Sequence, residues 1–265
     1  MFSHITLGTN DIARAKAFYD AALAPLGMSA AAQDYEDAVA YGTQGGSRFR
    51  LWVLPPFDGL PATWSNGAHL ALVAPDAAAV DAFHAAAMAT GGIDEGPPGP
   101  RPHYAPDYYA AYVRDPDGNK LQAVHYGDGR TAASDDEMVS HVTLGSDDLT
   151  RSGAFYDALL APLGYTRVEA DDGSVAYGVA DTQIPWFFTH LPFDGRPATW
   201  GNGTHVAFMA PSRAAVDAFH AAGLGNGAQD EGPPGLRPQY TASYYGAYLR
   251  DPDGNKLQAV CYAPA

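Results

Sequence analysis

The sequence predicts an α+β protein of four βαβββ modules, paired into two cup-shaped mixed-sheet domains with helices on the outer face. Three observations carry that expectation. HITLGTNDIARAKAFYDAALAPLG at 4–27 recurs as HVTLGSDDLTRSGAFYDALLAPLG at 141–164 with 16 of 24 positions identical, and YYAAYVRDPDGNKLQAV at 108–124 recurs as YYGAYLRDPDGNKLQAV at 244–260. Inside each half a fainter repeat runs from His4 to His69 at a shift of 65 residues and from His141 to His205 at a shift of 64. Within a module, apolar residues first alternate with period two and then fall at helical spacing.

The elements follow in order. In HITLG, Ile5 and Leu7 point to one side and His4 and Thr6 to the other, as on a half-buried strand. Thr9, Asn10 and Asp11 are capping types, and Ile12, Ala15, Phe18, Tyr19, Ala22 and Leu23 then mark one helix face, stopped by Pro25 and Gly27. VAYGT and FRLWVLP read as strands, and Phe57-Asp58-Gly59 as a turn. Asp115-Pro116-Asp117-Gly118-Asn119 is a further turn, followed by a strand in which Leu121 and Ala123 face the core and Gln122 and Val124 the opposite side. Each half, 1–128 and 138–265, is long enough for a core of its own, and the polar stretch GDGRTAASDDEM at 127–138 reads as the linker. Helices cover one face of each sheet, so the histidine-bearing face either meets solvent or forms a cavity, and two units side by side would curl into a cup.

Composition narrows the function. Thirty acidic against 15 basic residues give a net charge of −15 and a pI near 4.7, which repels phosphate backbones and anionic lipid, so no nucleic acid and no membrane is expected as a partner. The single cysteine, Cys261, forms no intrachain disulfide, and the first residues carry no secretory pattern. A cytoplasmic protein acting on a small molecule is the expectation, a pseudo-dimer within one chain that is compatible with further homo-oligomerisation. No G-x-S-x-G elbow and no glycine-rich phosphate loop is present.

Two strand histidines per half, about 65 residues apart and on the cup side, form a plausible pair of metal ligands, with a structural role as the alternative. Arg48, Arg50, Trp52 and Tyr41, answered by Trp186, Phe188 and Tyr177 in the second half, are candidates to line the cups, with packing as the alternative. Trp64 and Trp200 lie just before the second histidine of each half and suit a rim or an interface, with buried packing as the alternative. Arg101 and Tyr108, and their repeats Arg237 and Tyr244, lead into the penultimate strand, where Arg101 would pair with a substrate anion or with Asp94 or Glu95. His84 and His220 are expected on solvated helix faces.

H-x-x-L-x-x-x-D with AFYDA, the second H-x-A strand and the terminal DPDGN-x-L resemble the vicinal oxygen chelate superfamily of glyoxalases, extradiol dioxygenases and fosfomycin- and bleomycin-resistance proteins, over nearly the whole chain and twice. The resemblance implies a metal held by His4, His69 and Gln122 and by His141, His205 and Gln258, or by sets exchanged between halves, such as His4 with His205 and Gln258. The family's third ligand is normally glutamate, and here glutamine stands in its place. A carboxamide adds no charge and is no general base, so the divalent metal (Zn, Mn, Ni or Fe) is expected to be weakly bound or absent. Where glyoxalase I-like enzymes carry a fourth, carboxylate ligand, neither half shows one. The resemblance therefore implies Lewis-acid, lyase- or isomerase-like chemistry on a small vicinally oxygenated substrate. Its alternative is a metal-free drug-binding protein of the bleomycin-resistance type, favoured for a basic ligand by the acidic composition.

Overall fold

A computed structural model describes residues 1–33, 35–44, 46, 48–127, 138–179 and 184–264. The expected linker at 127–138 lies almost wholly outside the described residues. At its end, Met138 is fully buried and accepts a backbone hydrogen bond from Val73 (3.1 Å), so it belongs to the core.

Each of the four modules reads strand, helix and three further strands. The first has β1 (Phe2–Gly8), α1 (Ile12–Leu23), β2 (Met28–Ala30), β3 (Val39–Thr43) and β4 (Leu51–Leu54), and the second β5 (His69–Val73), α2 (Ala77–Ala89), β6 (Ile93–Pro100), β7 (Tyr109–Arg114) and β8 (Lys120–His125). The third has β9 (Val139–Gly145), α3 (Leu149–Leu160), β10 (Tyr165–Ala170), β11 (Ser174–Val179) and β12 (Phe187–His190), and the fourth β13 (His205–Met209), α4 (Arg213–Gly225), β14 (Gln229–Leu236), β15 (Tyr245–Arg250) and β16 (Lys256–Cys261). Asp11, Asp76, Asp148 and Ser212 cap the helices by accepting from the backbone N–H three residues on. α1 ends in a 3-10 turn at Ala24–Leu26 closed by Gly27, whose φ of +74° suits a residue without Cβ.

The modules pair across the halves. One eight-stranded sheet runs β14-β15-β16-β13-β1-β4-β3-β2 and the other β10-β11-β12-β9-β5-β8-β7-β6. The first therefore joins modules one and four and the second modules two and three, through antiparallel pairs β1·β13 and β5·β9. The boundary between repeats is not a boundary between sheets. Within a half, the modules meet through their helices, α1 on α2 and α3 on α4, which cover the sheets' convex faces. One apolar cluster runs through all of this, with Ile5, Phe18, Phe83, Val142, Phe155 and Phe208 among its buried members.

The Asp-Pro-Asp-Gly-Asn turns do more than reverse the chain. Asp115 is buried and accepts from Tyr19 Oη of α1 (2.7 Å), the Asn119 amide N–H (2.8 Å) and Asn119 Nδ2 (2.8 Å), while Asn119 Nδ2 also donates to the Gly8 carbonyl at the end of β1 (2.9 Å). Asp117 takes hydrogen bonds from Thr9 Oγ1 (2.6 Å) and Arg14 Nη2 (2.8 Å). Asp251, Asp253 and Asn255 repeat the pattern on Tyr156, Ser146, Arg151 and Gly145. Each turn thus clamps the second module of a half onto the first.

Candidate metal centre

The structure brings His4 together with His205 and Gln258, and His141 with His69 and Gln122, so each group draws on both halves. In the first sheet His4 pairs in register with Ala207, and Ala207 with Gln258, so His4 and Gln258 stand on either side of an alanine while His205 lies two residues back along β13. In the second sheet His141, Ala71 and Gln122 form the same row, with His69 two residues before Ala71. Alternation places all these side chains on the concave face, opposite the buried Ile5, Leu7, Leu70, Leu72, Leu121 and Leu257.

The imidazoles converge. His4 Nε2 and His205 Nε2 are 3.3 Å apart, and His69 Nε2 and His141 Nε2 are 3.1 Å apart, with the rings nearly perpendicular in both pairs. Two nitrogens bound side by side to one ion at about 2.0–2.1 Å would stand about as far apart. Burial lowers all four pKa values, His4 and His141 to about 4 and His69 and His205 well below the ordinary value, so the rings are neutral at neutral pH. Arg50 beside His4, and Lys120 beside His69, push the same way.

The glutamines complete the sets. Gln122 Nε2 donates to Tyr108 Oη and Gln258 Nε2 to Tyr244 Oη, each at 2.6 Å. That fixes the amides and leaves Oε1 of both, fully buried, without a partner at hydrogen-bond geometry and facing His69 and His205, whose protonated forms it favours. A buried carbonyl oxygen without a partner costs about 1–3 kcal/mol, a cost that a bound cation would relieve. Among the described residues no group of three or more His, Cys, Asp and Glu side chains gathers to hold a metal, so these donor sets are neutral.

A feature missed in the sequence lies just before the first-strand histidines. Ladder registers slip between Phe2 and His4 and again in the pairing of Val139 and His141, which makes Ser3 and Ser140 the extra residues of β-bulges. Ser3 Oγ is 3.0 Å from His4 Nδ1 and 2.8 Å from Tyr262 Oη, and Ser140 Oγ is 3.0 Å from His141 Nδ1 and 2.7 Å from Tyr126 Oη. In the tautomer whose Nδ1–H donates to the serine, the Nε2 lone pair faces the partner histidine. The repeated Ser-His dipeptide was the available signal.

Other expected cup residues fall in several places. Trp52 and Phe188 sit on the concave face beside Thr6 and Thr143, and Phe188 packs on His141 at 5.4 Å between ring centroids. Arg50 is buried and donates from Nη1 to the Phe2 and Ser3 carbonyls (3.0 and 2.8 Å), anchoring the bulge; Trp186 leads into β12 at the corresponding register. Tyr41 and Tyr177 point into the core, because Asp20 and the Gly153 carbonyl on the helices accept their hydroxyls. Trp64 and Trp200 are exposed and lie over the Arg114 and Arg250 guanidinium groups and against Gly118 and Gly254. Arg101 and Arg237 bond the carbonyls of Pro97 and Pro100 and of Pro233 and Leu236, not Asp94 or Glu95. His84 and His220 bind Asp94 and Asp230 at 3.1 Å, and His220 is buried, contrary to the solvated face expected for it.

The family model for the Glyoxalase/Bleomycin resistance protein/Dioxygenase superfamily matches residues 1–123 and again residues 138–259. The chain belongs to that superfamily. A glyoxalase/bleomycin resistance protein from Albidiferax ferrireducens T118 is 44% identical over 47% of this chain and 98% of its own, with a TM-score of 0.42. Glyoxalase I from Zea mays is 21% identical over 98% of this chain and 92% of its own, with a TM-score of 0.72, a likeness of fold. A Mn(II)-bound glyoxalase from Novosphingobium aromaticivorans is 18% identical over 99% of this chain and 83% of its own, with a TM-score of 0.40. No curated protein matches. Gln122 and Gln258, the positions where the resemblance implies glutamate, both sit in the converged clusters. No helix is long and apolar enough to cross a membrane among the described residues.

Proposed function

We propose that each cup binds a divalent cation (Zn, Mn, Ni or Fe) and through it a small molecule with neighbouring oxygens, in lyase- or isomerase-like chemistry. His4, His205 and Gln258 hold the ion in one cup, and His141, His69 and Gln122 in the other. The partnerless Oε1 atoms of the two glutamines, aimed beside paired neutral imidazoles, carry this reading. When bound, the ion supplies Lewis-acid polarisation of a substrate oxygen. Tyr108 and Tyr244 orient the carboxamides. Burial raises the pKa of Tyr112 and Tyr248, on the strand next to each glutamine, so their phenols stay protonated as hydrogen-bond donors. Among the described residues no carboxylate joins either histidine pair, so abstraction of a weakly acidic proton by a carboxylate at the ion is disfavoured. Lys120 and Lys256 beside the second histidines weigh against a pocket for a basic drug.

Gln122→Glu and Gln258→Glu test the assignment. Each keeps the side-chain shape and sets a negative charge against the ion, so zinc or manganese affinity measured by calorimetry should rise about ten- to a hundredfold, or roughly 1–3 kcal/mol. No gain at either position sinks the metal reading. The serine bulges give a second test: Ser140→Ala frees the His141 tautomer and should weaken metal binding about ten- to a hundredfold, the usual range for a ligand's outer partner, while Ser140→Thr retains it. Equal affinities in all three proteins would show that the hydroxyl does not position the ring.

A further inference from the structure

We infer that these sites are conditional, taking a divalent cation firmly only together with an organic anion: an apolar-bodied carboxylate with a second oxygen beside the carboxyl group. The inference rests on the metal reading and deepens it. Two separate observations carry it.

The first is charge. Each donor set is two neutral imidazoles and a carboxamide, so a divalent ion placed there keeps its whole charge in a partly buried site. A ligand that brings negative charge to the ion supplies what the missing glutamate does not.

The second is a row of side chains beside the histidines. In the first sheet Trp52, Thr6, His205, Lys256 and Arg250 stand in register across five strands. In the second, Phe188, Thr143 and His69 are in register, the Leu70–Leu121 pair sets Lys120 beside His69, and Arg114 follows. Strand spacing of about 4.8 Å puts the aromatic residue and the lysine about 14 Å apart at the backbone, with the second histidine between them. Each lysine shares one carboxylate with an arginine: Glu231 accepts from Arg250 Nε (2.7 Å) and Lys256 Nζ (3.1 Å), and Glu95 from Arg114 Nε (2.6 Å) and Lys120 Nζ (3.1 Å). Two cations on one anion leave a positive charge at the end of the second row; in the first, Asp58 also faces Arg250 and offsets part of it. The net charge of −15 belongs to the whole chain and acts at long range; selection at contact follows the local sign. A carboxylate toward the lysine, its neighbouring oxygen over the imidazoles and an apolar body toward Trp52 or Phe188 would use every part of the row.

Calorimetric titration of the full chain with manganese, with and without mandelate, tests this, with methyl mandelate and benzylamine as neutral and cationic controls and metal–mandelate association in buffer subtracted. Mandelate should tighten manganese binding about tenfold or more, and by linkage manganese should tighten mandelate by the same factor. The ester and the amine should leave it unchanged. The Lys120→Gln/Lys256→Gln protein should lose most of the mandelate gain without losing manganese binding. The Gln122→Glu/Gln258→Glu protein should bind manganese tightly alone and gain little from mandelate. Manganese binding that mandelate leaves unchanged, or that the ester enhances equally, overturns this inference and leaves the metal reading standing; no manganese binding under any condition overturns both.

Discussion

Expressed alone, residues 1–128 should form a dimer and not a folded monomer. Cutting the chain there removes β13 from the side of β1 and β9 from the side of β5, so one fragment exposes two unpaired strand edges, each next to an apolar core. Two fragments restore both contacts, because β5 repeats β1 at a shift of 65 residues and β1 of one copy can pair with β5 of the other, twice, about a two-fold axis. The helix layer α1–α2 and the Asp115 clamp lie inside the fragment, so each copy keeps what joins its two modules. Light scattering after gel filtration should give twice the fragment's mass, with a melting temperature that rises with concentration. A monomer that melts cooperatively at a concentration-independent temperature would show that the cross-half ladders are dispensable.

The second large effect is expected at Asp251. It accepts from Tyr156 Oη (2.6 Å), the backbone N–H groups of Asn255 and Asp253 (2.8 and 3.0 Å) and Asn255 Nδ2 (2.9 Å), all at a buried joint. Asp251→Ala strands these donors and should cost about 3–5 kcal/mol in urea unfolding, several times a typical surface substitution. Burial, opposed by those hydrogen bonds, pushes the carboxyl from its ordinary 3.8 up to about 6. Between those values the folded protein binds the extra proton, so this group's contribution to stability falls as pH rises from about 4 to 6, by about 3 kcal/mol. The buried histidines slope the other way: their lowered pKa values weaken the fold as pH drops below about 6.5. Asp251→Asn isolates the aspartate, since the difference between its stability curve and the parent's should carry the falling slope and nothing from the histidines. A difference that stays flat from pH 4 to 6 would mean that hydrogen bonding, not burial, sets this pKa.

Local patterns made the modules readable and left their pairing open. Alternation in HITLG placed Ile5 and Leu7 in the core and His4 on the cup, and capping types placed the start of α1, because these depend on neighbours in the chain. Which strand lies beside β1 is different: β5 and β13 belong to sequence-related modules, and nothing local distinguishes them as partners. Tyr41 shows a second limit. It is among the residues offered to line the cups, with packing as the alternative, and packing holds: Asp20 on the helix side accepts its hydroxyl and the ring is buried. The glutamines were located by resemblance, whereas their unpartnered oxygens are visible only once Tyr108 and Tyr244 are in place.

The exchange of modules between halves also bears on how this chain can diversify. In a symmetric assembly of two identical half-length chains, any substitution enters both cups at once, and their linings stay the same. Here the two cups are encoded by different codons, and they have already parted: Trp52 faces the cup opposite Phe188's, and Arg50 anchors one bulge where Trp186 stands beside the other. Ligand titrations should therefore resolve two unequal affinities, and selection can act on one cup while the other keeps its original preference.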